Sequence, residues 1–239
     1  MSSIFRKNKP YNGCLFFFRY KINFLGGSRL NEYKTVKEYA SETITERKSE
    51  FIGFISPVSS EEDALAFISE IKKKHTAARH AVYAYILREN NIARFTDDGE
   101  PHGTAGLPIL ELLRKENLTD VAVVVIRYFG GILLGTGGLL RAYTSTVKAA
   151  LDKAQTVILK KLTTFSVTTS YSDYKKVEFV LKNEQVVFDK TDYGTDVTIN
   201  LAVPTEEIET VLKSLRDITG GKAEITITGE RYGSVPDIS

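Results

Sequence analysis

VAVVVIRYFGGILLGTGGLLRAY, from Val121 to Tyr143, is the stretch on which the fold turns. Val121 to Ile126 is an unbroken apolar, mostly β-branched run, which suits a strand buried on both faces. Arg127, Tyr128 and Phe129 follow, and Gly130-Gly131 break the run. Gly135-Thr136-Gly137-Gly138 then precedes Leu140, Tyr143, Val147, Ala150 and Leu151, whose spacing predicts a helix over Gly137 to Lys153. A strand, a glycine-rich turn and a helix start leave backbone N–H groups free at a positive helix end, where an anion can be received. Arg141 falls in the predicted first turn, where a cation opposes the helix dipole. That placement makes sense if an anion lies between Arg127 and Arg141. The candidate anion-binding set is therefore Arg127, Tyr128, Gly130, Gly131, Gly135, Thr136, Gly137, Gly138 and Arg141. The competing reading is that the glycines only allow tight turns and close strand–helix packing. Neither standard nucleotide motif is met: Leu140 stands where GxGxxG needs its third glycine, and Thr136 where a P-loop needs lysine.

Working outward, DDGEPHGTAGLPILELL (Asp97 to Leu113) sets an acidic turn before a second glycine-rich helix start, with a helix expected over Thr104 to Glu116. Asp97, Asp98 and Glu100 could hold a hard cation such as magnesium, or could simply form the turn beside Gly99 and Pro101. His75, His80 and His102 lack zinc-ligand spacing, and Cys14 is the only cysteine. His80, beside Arg79 at a strand start, reads as structural. No residue set forms a recognisable nucleophile–base pair, so no catalytic residue is assigned and no cofactor is implied.

These segments resemble the IMPACT family, YigZ-type in bacteria. The match lies in Asp97 to Leu110 and Val123 to Tyr143, with KSEFIGF (Lys48 to Phe54) and ARHAVYAY (Ala78 to Tyr85) similar as well. The resemblance implies an α+β protein of two domains. The first would be a ribosomal-protein-like, GHMP-kinase-like α+β sandwich, and the second a ferredoxin-like domain similar to the last domain of elongation factor G. Eukaryotic relatives regulate translation by restraining a starvation-responsive kinase through a separate upstream domain. Nothing in this sequence resembles that domain, so the kinase role does not carry over.

The remaining chain fits two such domains. Thr43 to Ser56 reads as one strand, and Ser59 with Glu62 has capping-box spacing before a helix ending near Lys74. Val82 to Leu87 and Ile92 to Thr96 read as a hairpin around Glu89-Asn90-Asn91. From Lys160 the pattern restarts as β-α-β-β-α-β: strands at Lys161–Thr169, Val186–Thr191, Asp196–Val203 and Ala223–Glu230, helices at Tyr174–Lys182 and Pro204–Thr219. That order is the ferredoxin-like split βαβ. The expected division is an extension over 1–29, a first domain over 30–157 and a second over 158–239, with a protease-sensitive join near Ala154 to Lys161.

Residues 1–29 hold six basic residues and no acids. They read as a disordered tail, as a basic arm for nucleic acid, or as untranslated sequence. In the last case Gly26 to Arg29 would be encoded by a ribosome-binding sequence and Leu30 by a start codon. The whole chain carries 32 basic and 30 acidic residues; without the extension's six, 26 face 30, a net charge of −4. Nucleic-acid binding then needs a local basic patch. No apolar stretch reaches the roughly 20 residues of a membrane-spanning helix, and a single cysteine fits a reducing, cytoplasmic setting. Two functions remain open. One is a binding or regulatory protein associated with translation, meeting RNA, the ribosome or a translation factor through an anion-binding surface. The other is an enzyme acting on a phosphorylated or carboxylated small molecule, with or without a metal.

Overall fold

The computed structural model describes residues 31–182 and 184–235; the extension over 1–29 lies outside them. The chain divides into two α+β units.

The first unit is organised on a five-stranded sheet in the order β2-β3-β6-β4-β5: β2 Ala40–Glu46, β3 Ser49–Pro57, β6 Val121–Tyr128, β4 His80–Leu87 and β5 Ile92–Thr96. Every pairing is antiparallel. β6 lies in the centre with all residues from Val121 to Arg127 buried, as its apolar run predicts. Helix α1, Glu61–Lys74, lays Ala64, Ile68 and Ile71 on the face that carries Phe54, Tyr85, Val124 and Ile126. Helix α3, Gly135–Ala154, takes the opposite face, where the Phe51 and Tyr143 rings meet edge to face at 5.1 Å. Gly53 is required there: a Cβ on it would come within 2.8 Å of the Thr146 methyl. Helix α2, Gly106–Lys115, buries Ile109, Leu110 and Leu113.

The second unit contains β7 Thr156–Thr169, α4 Tyr171–Lys182, β8 Val187–Tyr193, β9 Val197–Pro204, α5 Ile208–Thr219 and β10 Glu224–Gly233. β10, β7, β9 and β8 lie side by side, the arrangement of a ferredoxin-like sheet. Phe165, Val177, Leu181, Ile199, Leu201, Val211 and Leu215 form its core. Gly220, at φ +57°, ends α5, with the N–H of Gly221 donating to Arg216 O at 2.8 Å.

Four expectations change. Thr43 to Ser56 is two strands, joined by Arg47 and Lys48 at φ +45° and +66°. Both residues adopt the positive φ of a two-residue hairpin turn without the Asn-Gly that advertises one. The α1 cap is one residue later than expected: Ser60 Oγ accepts from Asp63 N, and the Asp63 carboxylate accepts from Ser59 N and Oγ. Pro204 ends β9 opposite Leu162 instead of opening α5. Finally, β1, Glu32–Val36, pairs antiparallel with Thr156–Lys160 of β7, so the segment assigned to the first domain from residue 30 belongs to the second sheet. The same pairing makes the expected protease-sensitive join a strand, leaving Gln155, at φ +56°, as the turn between α3 and β7.

Candidate functional site

The acidic turn is dispersed by its surroundings. Asp97 caps α2: Oδ1 accepts from the N–H of Ala105 (3.2 Å) and Gly106 (2.8 Å), and Oδ2 from Gly103 (3.0 Å). The first glycine-rich helix start thus holds the chain's own carboxylate. Asp98, at φ +43°, accepts from Ala81 N at 2.6 Å and lies 3.6 Å from Lys72 Nζ. Its carbonyl lies 2.8 Å from His80 Nδ1. A carbonyl only accepts, so Nδ1 carries a proton, and Nε2 faces Glu100 at 3.9 Å. Glu100 is buried, and its Oε1 accepts from Arg127 Nη1 and Tyr143 Oη, each at 2.7 Å. Burial first, and then the Glu100 charge, push the Tyr143 hydroxyl well above the ordinary tyrosine range, so it remains a donor. Among the described residues no three of His, Cys, Asp and Glu gather as metal ligands.

Arg127 ends the buried run of β6. Its guanidinium carbon lies 5.3 Å from the Phe51 ring centroid and 5.6 Å from that of Phe129. Nη1 is spent on Glu100, and Nε is buried with no hydrogen-bond partner. Arg127 lines a cavity of about 350 Å³ together with Arg79, His80, Glu100, Phe129, Leu133 and Thr136. The cross-strand register that sets His80 opposite Arg127 brings these groups together. Tyr128, one residue further along β6, points to the other face, where its hydroxyl meets His75 Nδ1 at 2.9 Å. The period of two therefore removes it from the candidate set.

The glycines separate by what surrounds them. A Cβ on Gly130 would fall 1.9 Å from Lys48 O, and one on Gly106 2.4 Å from Thr96 O, so both are packing glycines. Gly131 and Gly135 have φ of +84° and +71°. Gly137 has neither reason: its φ is ordinary for a helix and a Cβ would meet nothing within 4 Å. The helix starts at Gly135, two residues before expectation, because the glycine set itself forms the first turn. Arg141 therefore occupies the second turn, so the expected conflict with the dipole is largely absent. Arg141 is exposed, donates from Nε to Gly137 O at 3.3 Å, and lines a different hollow, of about 430 Å³, with Arg47, Glu46 and Gly138. Arg127 and Arg141 thus line separate hollows. Arg141 does not pair with the acidic turn: Arg127 holds that place. His80, Arg79 and Phe129 complete the cavity's lining, brought to Arg127 by the cross-strand pairing of β4 with β6, while Tyr143 reaches Glu100 from α3.

The Impact N-terminal domain matches residues 47–151, and the domain of unknown function DUF1949 matches 167–222. IMPACT family member YvyE of Bacillus subtilis (strain 168) is 40% identical over 197 residues, covering 82% of this chain and 91% of the relative. This chain belongs to the IMPACT family. IMPACT family member YigZ of Escherichia coli (strain K12) is 32% identical, over 75% of this chain and 89% of its own. Protein IMPACT-A of Xenopus tropicalis is 38% identical over 44% of this chain, only 36% of its own length. A crystal structure of an hypothetical protein superimposes with a TM-score of 0.55 at 29% identity, covering 85% of this chain and all of that one. The α+β architecture is thus that of the family. Among the described residues no helix is long and apolar enough to cross a membrane.

Proposed function

We propose that this IMPACT family member is a binding and regulatory protein of the translation apparatus, acting in the cytoplasm and holding a phosphate of ribosomal RNA at the start of α3. The observation that carries the reading is the exposed turn Gly135 to Gly137. First-turn N–H groups have no acceptor within their own helix, and among the described residues no side chain takes at α3 the part that Asp97 takes at α2. Gly137 keeps that backbone bare without any steric or conformational need. Arg141 and Arg47, both exposed beside Gly138, supply a local basic patch on a body whose net charge is negative. Binding is favoured over catalysis because, among the described residues, His80 has no hydroxyl or thiol hydrogen-bonded to it.

Co-sedimentation of the protein with ribosomes across a salt series tests this. Binding should weaken with salt, and Arg141→Gln should lower affinity and reduce the log–log salt slope by about 1. No binding at low salt, or a variant with unchanged slope and affinity, would overturn it.

A further inference from the structure

We infer that the Arg127 cavity is a separate site for a small organic monocarboxylate, held by the free edge of the Arg127 guanidinium with its apolar body against Phe129, Leu133 and Leu134. Arg127 is 5% exposed, too enclosed to meet an RNA backbone, yet it lines a cavity large enough for a small molecule. Its Nη1 faces Glu100, which leaves Nε and Nη2. These two nitrogens form the edge of the fork that donates two parallel hydrogen bonds to a planar carboxylate. Nε is the buried donor whose need the protein itself does not meet.

Charge selects the ligand's head group. Glu100, 2.7 Å from Nη1, neutralises Arg127, and the cavity's remaining positive charge is Arg79 with the partial charge of the α3 start at Gly135 and Thr136. That balances a monoanion. A phosphate dianion would bring surplus negative charge beside the Glu100 carboxylate. The apolar side chains on the wall select a body beyond the head group, which acetate lacks. Gly135 and Thr136 line this cavity as well as opening the α3 surface proposed for ribosomal RNA, so the two ligands would meet at the α3 start; Arg127 and Leu133 belong to the carboxylate site alone.

Isothermal titration calorimetry on the full chain with isovalerate, benzoate, acetate, isovaleramide and inorganic phosphate is the test. Isovalerate or benzoate should bind with Kd below about 1 mM, on the order of tenfold or more tighter than the other three. Arg127→Lys keeps a cation for Glu100 and removes the two-donor edge, and should weaken the carboxylate by about tenfold or more. Leu133 is 82% exposed, so Leu133→Glu leaves the fold intact while placing an anion on the wall, and should weaken binding to a similar degree even if Arg127→Lys fails to fold. Phosphate binding as tightly as the carboxylates, no carboxylate binding below about 10 mM, or Leu133→Glu binding unchanged would overturn the site. Ribosome binding measured on Arg127→Lys separates the two proposals, since it removes the carboxylate's two-donor edge and adds no charge beside the α3 start.

Discussion

Glu100 and Arg127 are each buried, and each is the other's charge partner. Removing one charge from such a pair leaves the other unpaired away from water, which costs roughly 3–5 kcal/mol. Glu100→Gln should therefore lose stability of that order in urea denaturation. Arg141→Gln, at an exposed position paired with no carboxylate among the described residues, should stay within about 0.5 kcal/mol of the parent. Asp97→Ala should cost about 1–2 kcal/mol, because three N–H groups at the start of α2 lose their acceptor. The importance of Asp97, Asp98 and Glu100 is legible in the sequence as a clustered acidic turn. Their separate duties are not, because they depend on partners far along the chain: Ala81 and His80 for Asp98, Arg127 and Tyr143 for Glu100.

At the scale of the elements, α3 and α2 begin in similar sequence and differ in what fills their first turn. Gly137→Ala relieves an unneeded glycine within a helix and should stabilise the protein by about 0.5–1 kcal/mol. Gly106→Ala should destabilise it, since the new methyl would press on the Thr96 carbonyl. Thermal denaturation of the two variants should move in opposite directions. The strand–glycine–helix order of Val121 to Tyr143 can be read directly from its apolar run and spacing. The true start of α3 cannot, because helix propensity counts glycine as a breaker, yet Gly135 to Gly138 form the first turn here. The β2–β3 hairpin is hidden for a related reason: Arg47-Lys48 carries no turn signal, although its backbone adopts the turn.

For the whole molecule, the ferredoxin-like unit is readable because its strands and helices alternate locally, with short connections. The addition of β1 to that sheet is not, because a five-residue strand pairing with partners more than a hundred residues away leaves no local trace. In hydrogen exchange the backbone of Thr156–Lys160 should be protected as a paired strand, whereas a linker between domains would exchange rapidly. If the start of α3 is kept bare for a phosphate of ribosomal RNA, a side chain added there must weaken binding. Gly137→Ala tests it most directly, because its effects on stability and on binding should have opposite signs. Ribosome co-sedimentation at low salt should show the better-folded variant binding several-fold more weakly than the parent, the new methyl obstructing the backbone's approach. A variant that is more stable and binds ribosomes as tightly as the parent would show that the α3 start holds no phosphate.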